Sequence, residues 1–307
     1  MTPGTGRPHH IRERRWAALA AAVAFSVALG AAGPPGPAYP DNPAWNRPQE
    51  PFRVIGNIYY VGTTELAAYL ITTGAGHILI DGGMHATTPL IEASIDRLGF
   101  KVSDIRYLLT TQAHFDHVGS MAALAAKSGG QVLVMEGDAG LVEHGGHGDY
   151  LFGDTMPFEP VKVARVLHDG DEVRLGGTTL VAHATPGHTP GCTTWTTTVE
   201  EGGRTYAVVF AGSTTVNPGT RLTGDPSYAG IREDYERAFR VLRGLHPDVF
   251  LGAHASFFGL EEKRARQVAR SPANPFIDPA GFRAVVDRSE QRFREQEQEG
   301  ARPRSES

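Results

Sequence analysis

Apolar positions come in short runs through the first half of the chain and do so again in the second. Residues 53–62, 65–73 and 77–81 are three such runs, separated by Gly-containing turns, which predicts a meander of short strands. Thr88-Pro89 opens a helix with Ile91, Ile95 and Leu98 on its inner face, proline being suited to the first helical turn. The run 105–110 reads as a buried strand, 121–127 as a helix and 131–135 as a further strand. In the second half, 161–166, 172–175, 179–184, 193–199 and 205–210 are strands, with Gly176-Gly177 turning a hairpin. Residues 226–245 form an amphipathic helix whose inner stripe is Tyr235, Ala238, Phe239 and Leu242. A short apolar run at 249–251 follows, then a last helix from Asp278-Pro279 that buries Phe282, Val285, Val286 and Phe293. Meander and helix, twice over, argue for two sheets face to face with helices outside. Periodicity alone fixes the class only as α/β or α+β.

The flanks have a different character. Arg12, Arg14 and Arg15 precede an Ala-rich apolar run at 16–32, and Ala28-Leu29-Gly30 is a small-x-small cleavage sequence. Residues 1–30 therefore read as an export signal, giving a periplasmic or secreted protein without stable membrane association after cleavage. The run is short for a membrane anchor. Residues 31–50 hold six prolines and form an extended arm, with Trp45 packing down on the domain. The folded domain is expected over 51–297, and 298–307 is a frayed polar tail.

Of 307 residues, 29 are Lys or Arg and 34 are Asp or Glu, a net charge of −5 with no basic cluster that would mark a nucleic-acid surface. Losing residues 1–30 removes four arginines and one glutamate and takes the charge to −8. Cys192 is the single cysteine, so no disulfide forms within the chain, and its place inside a strand marks it as a small buried residue.

The chemistry concentrates at residues 111–120, TQAHFDHVGS, directly behind the strand 105–110. Gln112, His114, Asp116 and His117 all carry nitrogen or oxygen donors. A strand ending here and a helix starting near Asp116 would splay them around one or two cations. Imidazole with carboxylate suits zinc without a thiolate. One zinc needs about four ligands, so others must come from afar. His188, between two Pro-Gly turns in TPGHTPG, and His254, in LGAHASF after the run 249–251, each end a strand-like segment. Asp81, at the end of the third run, is a turn residue or a partner for a ligating histidine. His144 and His147 fall in the glycine-rich piece EHGGHGDY and read as loop residues. His183 stays outside the site, and 150–158 reads as a flap beside it.

These residues resemble a known family. The HxDH core with the later GH and GAH is similar to the metallo-β-lactamase superfamily. NPAWNRPQEPFRVIGNIYYVGT, TPGHTPGCTTW and NPFIDPAGFRAVVDR resemble its subclass B3, and the likeness runs from about Asn42 to about Arg294. The resemblance implies a four-layer αββα sandwich of the α+β class and a hydrolase that opens the β-lactam amide of antibiotics with zinc-activated water. It implies one zinc at Gln112, His114 and His188 and a second at Asp116, His117 and His254. Asp116 would also orient the attacking water. Ser213 and Thr215 would hold the substrate carboxylate by their hydroxyls.

Two positions separate the possible activities. Many lactone and thioester hydrolases of this superfamily place a bridging aspartate where this chain has Ser213, which favours the lactamase and leaves those hydrolases as the alternative. Gln112 stands where the usual pattern has histidine, and its amide oxygen is the weaker ligand. A non-catalytic, exported binding protein on the same scaffold is the third reading.

Overall fold

The computed structural model describes Met1 and residues 42–300. The expected export signal, the arm up to residue 41 and residues 301–307 lie outside the described residues.

The first sheet has seven strands whose spatial order follows the chain: β1 (Phe52–Ile55), β2 (Ile58–Tyr60), β3 (Tyr69–Thr73), β4 (Gly76–Ile80), β5 (Ile105–Leu109), β6 (Gln131–Met135) and β7 (Val163–Leu167). Pairing is antiparallel from β1 to β4 and parallel from β4 to β7. The run 53–62, expected as one strand, is a hairpin, because Gly56 turns the chain with a φ of 51° that side chains resist. The second sheet comprises β8 (Glu172–Leu175), β9 (Thr178–Ala184), β10 (Thr193–Glu201), β11 (Arg204–Ala211) and β12 (Val249–Gly252). Its order is β12-β11-β10-β9-β8, and only β11 and β12 run parallel.

Seven α-helices accompany the sheets among the described residues: α1 (Thr88–Arg97), α2 (Phe115–Val118), α3 (Met121–Ser128), α4 (Glu136–Glu143), α5 (Ile231–Gly244), α6 (Leu260–Val268) and α7 (Pro279–Gly300). Strand alternation assigns each apolar side chain to a layer. Leu70, Leu79, Leu108, Val132 and Val134 pack with Ile91 and Ile95 of α1 and Leu124 of α3. Their neighbours Tyr69, Ile71, Ile80, Leu109 and Leu133 belong to the same core as Leu180, Ala182, Trp195, Val208 and Phe210 of the second sheet. On the far side, α5 packs on β9 and α7 on β12, with Tyr235 stacked on Phe293 at 5.3 Å. The result is the expected αββα sandwich.

Two helices differ in extent from the expectation, and two more appear. The helix foreseen from residue 226 begins at Ile231, because Gly230 before it takes a φ of 89°. The last helix continues through 298–300, assigned to the tail, because Glu297 pairs with Arg232 and Arg294 while Gln296 donates to the carbonyl of Val216. Helices α4 and α6 were not foreseen. The first contains Gly137 and Gly140, poor helix formers, and α6 buries only Leu260 and Lys263, too few residues to make a stripe. Among the described residues no helix is long and apolar enough to cross a membrane.

Candidate metal centre

The ends of β4, β5, β9 and β12 deliver the chemistry to one edge of the sandwich. After β5 the backbone is still extended at His114, and α2, which carries Asp116 and His117, starts one residue later. The motif is divided there into two groups. His188 arrives on the loop between β9 and β10, where Gly187 lies so close to the Tyr235 ring that a Cβ would sit 2.6 Å from it. His254 follows β12 in extended backbone, tied down by Ala255 N–H donating to the Glu65 carbonyl at 2.8 Å.

In the first group, His114 Nδ1 lies 3.2 Å from His188 Nε2. Gln112 lines the same cavity, and its buried Oε1 has no hydrogen-bond partner. In the second group, His117 Nε2 lies 3.2 Å from His254 Nε2, and Asp116 Oδ2 is 3.4 Å from the former and 3.5 Å from the latter. The structure thus brings His114 against His188, and His117 and His254 against Asp116, with Gln112 in the lining of the same cavity.

The outward nitrogen of each ring faces an oxygen acceptor. His188 Nδ1 donates to the Thr215 carbonyl at 2.7 Å, and His117 Nδ1 lies 3.2 Å from Asp81 Oδ2. His254 Nδ1 is 3.5 Å from Glu65 Oε1, and His114 Nε2 is 3.3 Å from Asp149 Oδ2. Such acceptors draw the ring proton outward and leave the inward nitrogen as a bare lone pair. Two pairs of lone pairs then converge, an arrangement that repels itself unless a cation or proton intervenes. With the orphaned Gln112 oxygen and the Asp116 carboxylate, these donors fit divalent metal ions.

The two groups differ in charge. Burial and the neighbouring His114 push His188 down to about 3, so it is neutral and free to donate its lone pair. Burial works against ionisation of Asp116, yet His117 and His254 outweigh it and hold the carboxyl well below its ordinary range. His117 is likewise raised to about 10, Asp116 and Asp81 overcoming its burial. A cation entering the second group therefore takes the place of a proton. Asp81 serves as both turn residue and histidine partner: at a φ of 58° it also accepts from Thr111 N–H at 2.7 Å and Thr111 Oγ1 at 2.8 Å.

Gln112, His114, Asp116, His188 and His254 line a cavity of roughly 340 Å³, with His117 buried behind them. Ser213, Thr215 and Asn217 form a polar wall, and Trp45, Phe115, Leu151, Phe152 and Phe257 an apolar one. None of the lining residues is Lys or Arg, and Asp116 is the one carboxylate among them. Trp45, expected to pack down on the domain with the rim of the site as the alternative, is part of this wall, 6.1 Å from the Phe115 ring and 6.2 Å from that of His254. Cys192 is fully buried, its thiol pushed up by burial and donating to the Ser213 carbonyl at 3.3 Å. His183 bonds Thr196 at 2.8 Å, while His144 and His147 are exposed, His147 facing Asp154 at 3.3 Å. Sequence reasoning missed Glu65, Asp138 and Asp149. Asp138, fully buried on α4, accepts from Ala113 N–H at 2.8 Å, Thr189 Oγ1 at 2.7 Å and Gly191 N–H at 2.7 Å, stapling the His114 loop to the His188 loop. No local signal marks such a residue, since its partners are remote in sequence.

A sandwich of two mixed sheets with a histidine and aspartate cluster at one edge has known relatives. Residues 65–254 match the metallo-beta-lactamase superfamily, and the chain belongs to it. Within it, the chain is similar to BJP-1, a subclass B3 metallo-beta-lactamase of Bradyrhizobium japonicum, at 42% identity and a TM-score of 0.79, covering 84% of this chain and 97% of that one. It is similar to the native FEZ-1 metallo-beta-lactamase of Legionella gormanii at 40% identity and a TM-score of 0.82, covering 84% and 99%. Curated relatives are more distant. A probable metallo-hydrolase of Burkholderia pseudomallei is 31% identical over 165 residues, 50% of this chain and 54% of that protein, so the chain spans about half its length. An N-acyl homoserine lactonase of a Bacillus species is 24% identical over 225 residues, 65% of this chain and 83% of the lactonase.

Proposed function

We propose that this protein is a zinc-dependent β-lactamase. The observation that carries the reading is the set of four histidines, each turned by an outward acceptor so that its inward nitrogen meets another across 3.2 Å. Gln112, His114 and His188 would hold one zinc, and Asp116, His117 and His254 the other. Bound zinc lowers the pKa of water to about 7 and polarises a carbonyl as a Lewis acid.

The chain's own residues supply the rest. Asp116, held ionised and facing the cavity, accepts a hydrogen bond from the attacking water and fixes its orientation over the amide carbon. Ser213 and Thr215 offer neutral donors to the substrate carboxylate. The apolar wall packs the acyl arm of the substrate and excludes bulk water. The similarity to two metallo-beta-lactamases over nearly their whole length supports the β-lactam as substrate.

A lactone hydrolase is the second reading, favoured by the lactonase among the relatives. Turnover of a penicillin, a cephalosporin, a carbapenem and a simple lactone by the zinc-loaded protein, with and without a chelator, decides between them. We expect β-lactam turnover that a chelator stops and clavulanate, aimed at a serine nucleophile, does not. Preference for the lactone, or turnover indifferent to the chelator, would overturn it. Residues 1–30 would direct export, and the cellular role would be antibiotic resistance. The first is checked by sequencing the N-terminus of the mature protein, the second by the β-lactam tolerance of a host with and without the gene.

A further inference from the structure

One loop touches both histidines of the first group. It leaves α4 and passes through Asp149–Gly153 beside the cavity. Asp149 Oδ2 lies 3.3 Å from His114 Nε2, and both atoms are buried with no other hydrogen-bond partner. The other carboxylate oxygen accepts the N–H groups of Leu151 at 2.7 Å and Phe152 at 2.8 Å, and the Asp149 carbonyl accepts from Gly153 N–H at 2.9 Å. A single carboxylate therefore shapes the loop with one oxygen and faces a candidate ligand with the other. Tyr150 adds a second tether, its hydroxyl donating to the His188 carbonyl at 2.9 Å. The Phe152 ring stands edge-on to His114 at 5.0 Å.

We propose that Asp149 is a positioning residue that couples cation occupancy of the Gln112, His114 and His188 group to the order of the 149–153 loop, with Tyr150 as a secondary tether. The inference rests on the metal reading above and deepens it. An imidazole that donates its Nδ1 lone pair to a cation makes its Nε2–H a stronger donor, which tightens its hold on Asp149. Asp149 passes this on to the two amides it anchors. The coupling is reciprocal: whatever orders the loop raises cation affinity by the factor by which the cation favours the ordered loop. Leu151 and Phe152 line the cavity, so a filled first group and a formed apolar wall arrive together.

Hydrogen exchange of the loop amides, read with and without added zinc, tests this alongside zinc titration followed by native mass spectrometry. The proteins are the wild type, Asp149→Asn and Tyr150→Phe. Asparagine keeps an oxygen for the Leu151 and Phe152 amides but removes the charge facing His114. Zinc should slow exchange at 151–153 in the wild type. Asp149→Asn should lose that response and weaken one of two zincs about tenfold, the low end of the effect of such supporting groups. The other zinc should bind as before. Tyr150→Phe should show a smaller loss of zinc-dependent protection, and it carries the test if Asp149→Asn does not fold. Wild-type affinity for both zincs in Asp149→Asn, or in its absence an undiminished response in Tyr150→Phe, overturns the coupling. So does a wild-type loop that ignores bound zinc, which leaves the metal reading intact. A wild-type protein that takes up no zinc overturns both.

Discussion

His117 and His254 present their Nε2 atoms to each other across 3.2 Å, and each ring is backed by a carboxylate, Asp81 for one and Glu65 for the other. Asp116 lies within 3.5 Å of both facing nitrogens and supplies the negative charge between them. Asp116→Ala should therefore cost one zinc and about 10²- to 10⁴-fold in kcat, the range for losing a group that manages a proton in the transition state. Thermal unfolding should be little affected, since the residue sits at a sheet edge rather than between the sheets. Near-normal kcat in a folded variant would show that the second group is wrongly assigned.

Under the proposed assignment, Gln112 makes the first group the weaker one. Its amide oxygen is uncharged and less basic than imidazole, and the group it belongs to contains no carboxylate. The second group, with Asp116 ionised, should fill first. One zinc should survive dialysis and the other be lost, with the one-zinc form keeping substantial activity. Gln112→His should tighten the labile zinc about ten- to hundredfold in a metal titration. Two equally tight zincs in the unmodified protein would refute this order.

Trp45 contributes an aromatic face to the cavity wall. Trp45→Ala should raise KM several-fold for β-lactams with an aryl acyl arm and change kcat little, the signature of binding shared by ground and transition states. Substrates lacking the arm should lose less. An equal loss for both would mean that the indole packs the fold rather than the substrate.

Lys263 is buried beneath the Phe250 and Phe258 rings, at 5.2 and 5.7 Å from their centres, and pairs with Asp278 at 2.9 Å. Asp278 also accepts Gly281 N–H at 2.8 Å at the start of α7, a role that asparagine can keep. Asp278→Asn should thus isolate the charge and cost about 2 kcal/mol, less than the 3–5 typical of a fully buried pair because Asp278 is partly exposed. Burial opposes ionisation of Asp278, but Lys263 and the Gly281 N–H outweigh it and lower its pKa in the folded state. Its contribution is therefore present above the ordinary carboxylate pKa of about 3.9 and lost as pH falls through the lowered folded value. Denaturation curves of wild type and variant should be well separated at pH 7 and converge once the pH has fallen below the lowered folded pKa of Asp278. A gap that persists in acid would mean that the cap, not the charge, was removed.

Much of this protein was legible before any coordinate. Alternation along residues 65–81 and 105–135, and the dense donor cluster at 112–117, record local physics: period-2 burial and side chains a few residues apart. Such signals determined the strands, the main helices and the ligand types, and family resemblance grouped the ligands. The sequence did not reveal α4 or α6, whose glycines and charges hide their periodicity. Nor did it reveal what stands behind the ligands. Asp138, Asp149 and Glu65 lie in a short helix, a glycine-rich loop and the start of a strand run, and each acquires its partner only when folding brings a distant segment beside it. Trp45 is one aromatic in a proline-rich arm until packing sets it over His254. The sequence by itself determined which atoms were available to hold a metal. Tertiary structure decided which nitrogen of each histidine faces inward, because that choice depends on an acceptor from a distant part of the chain and on its exclusion from water.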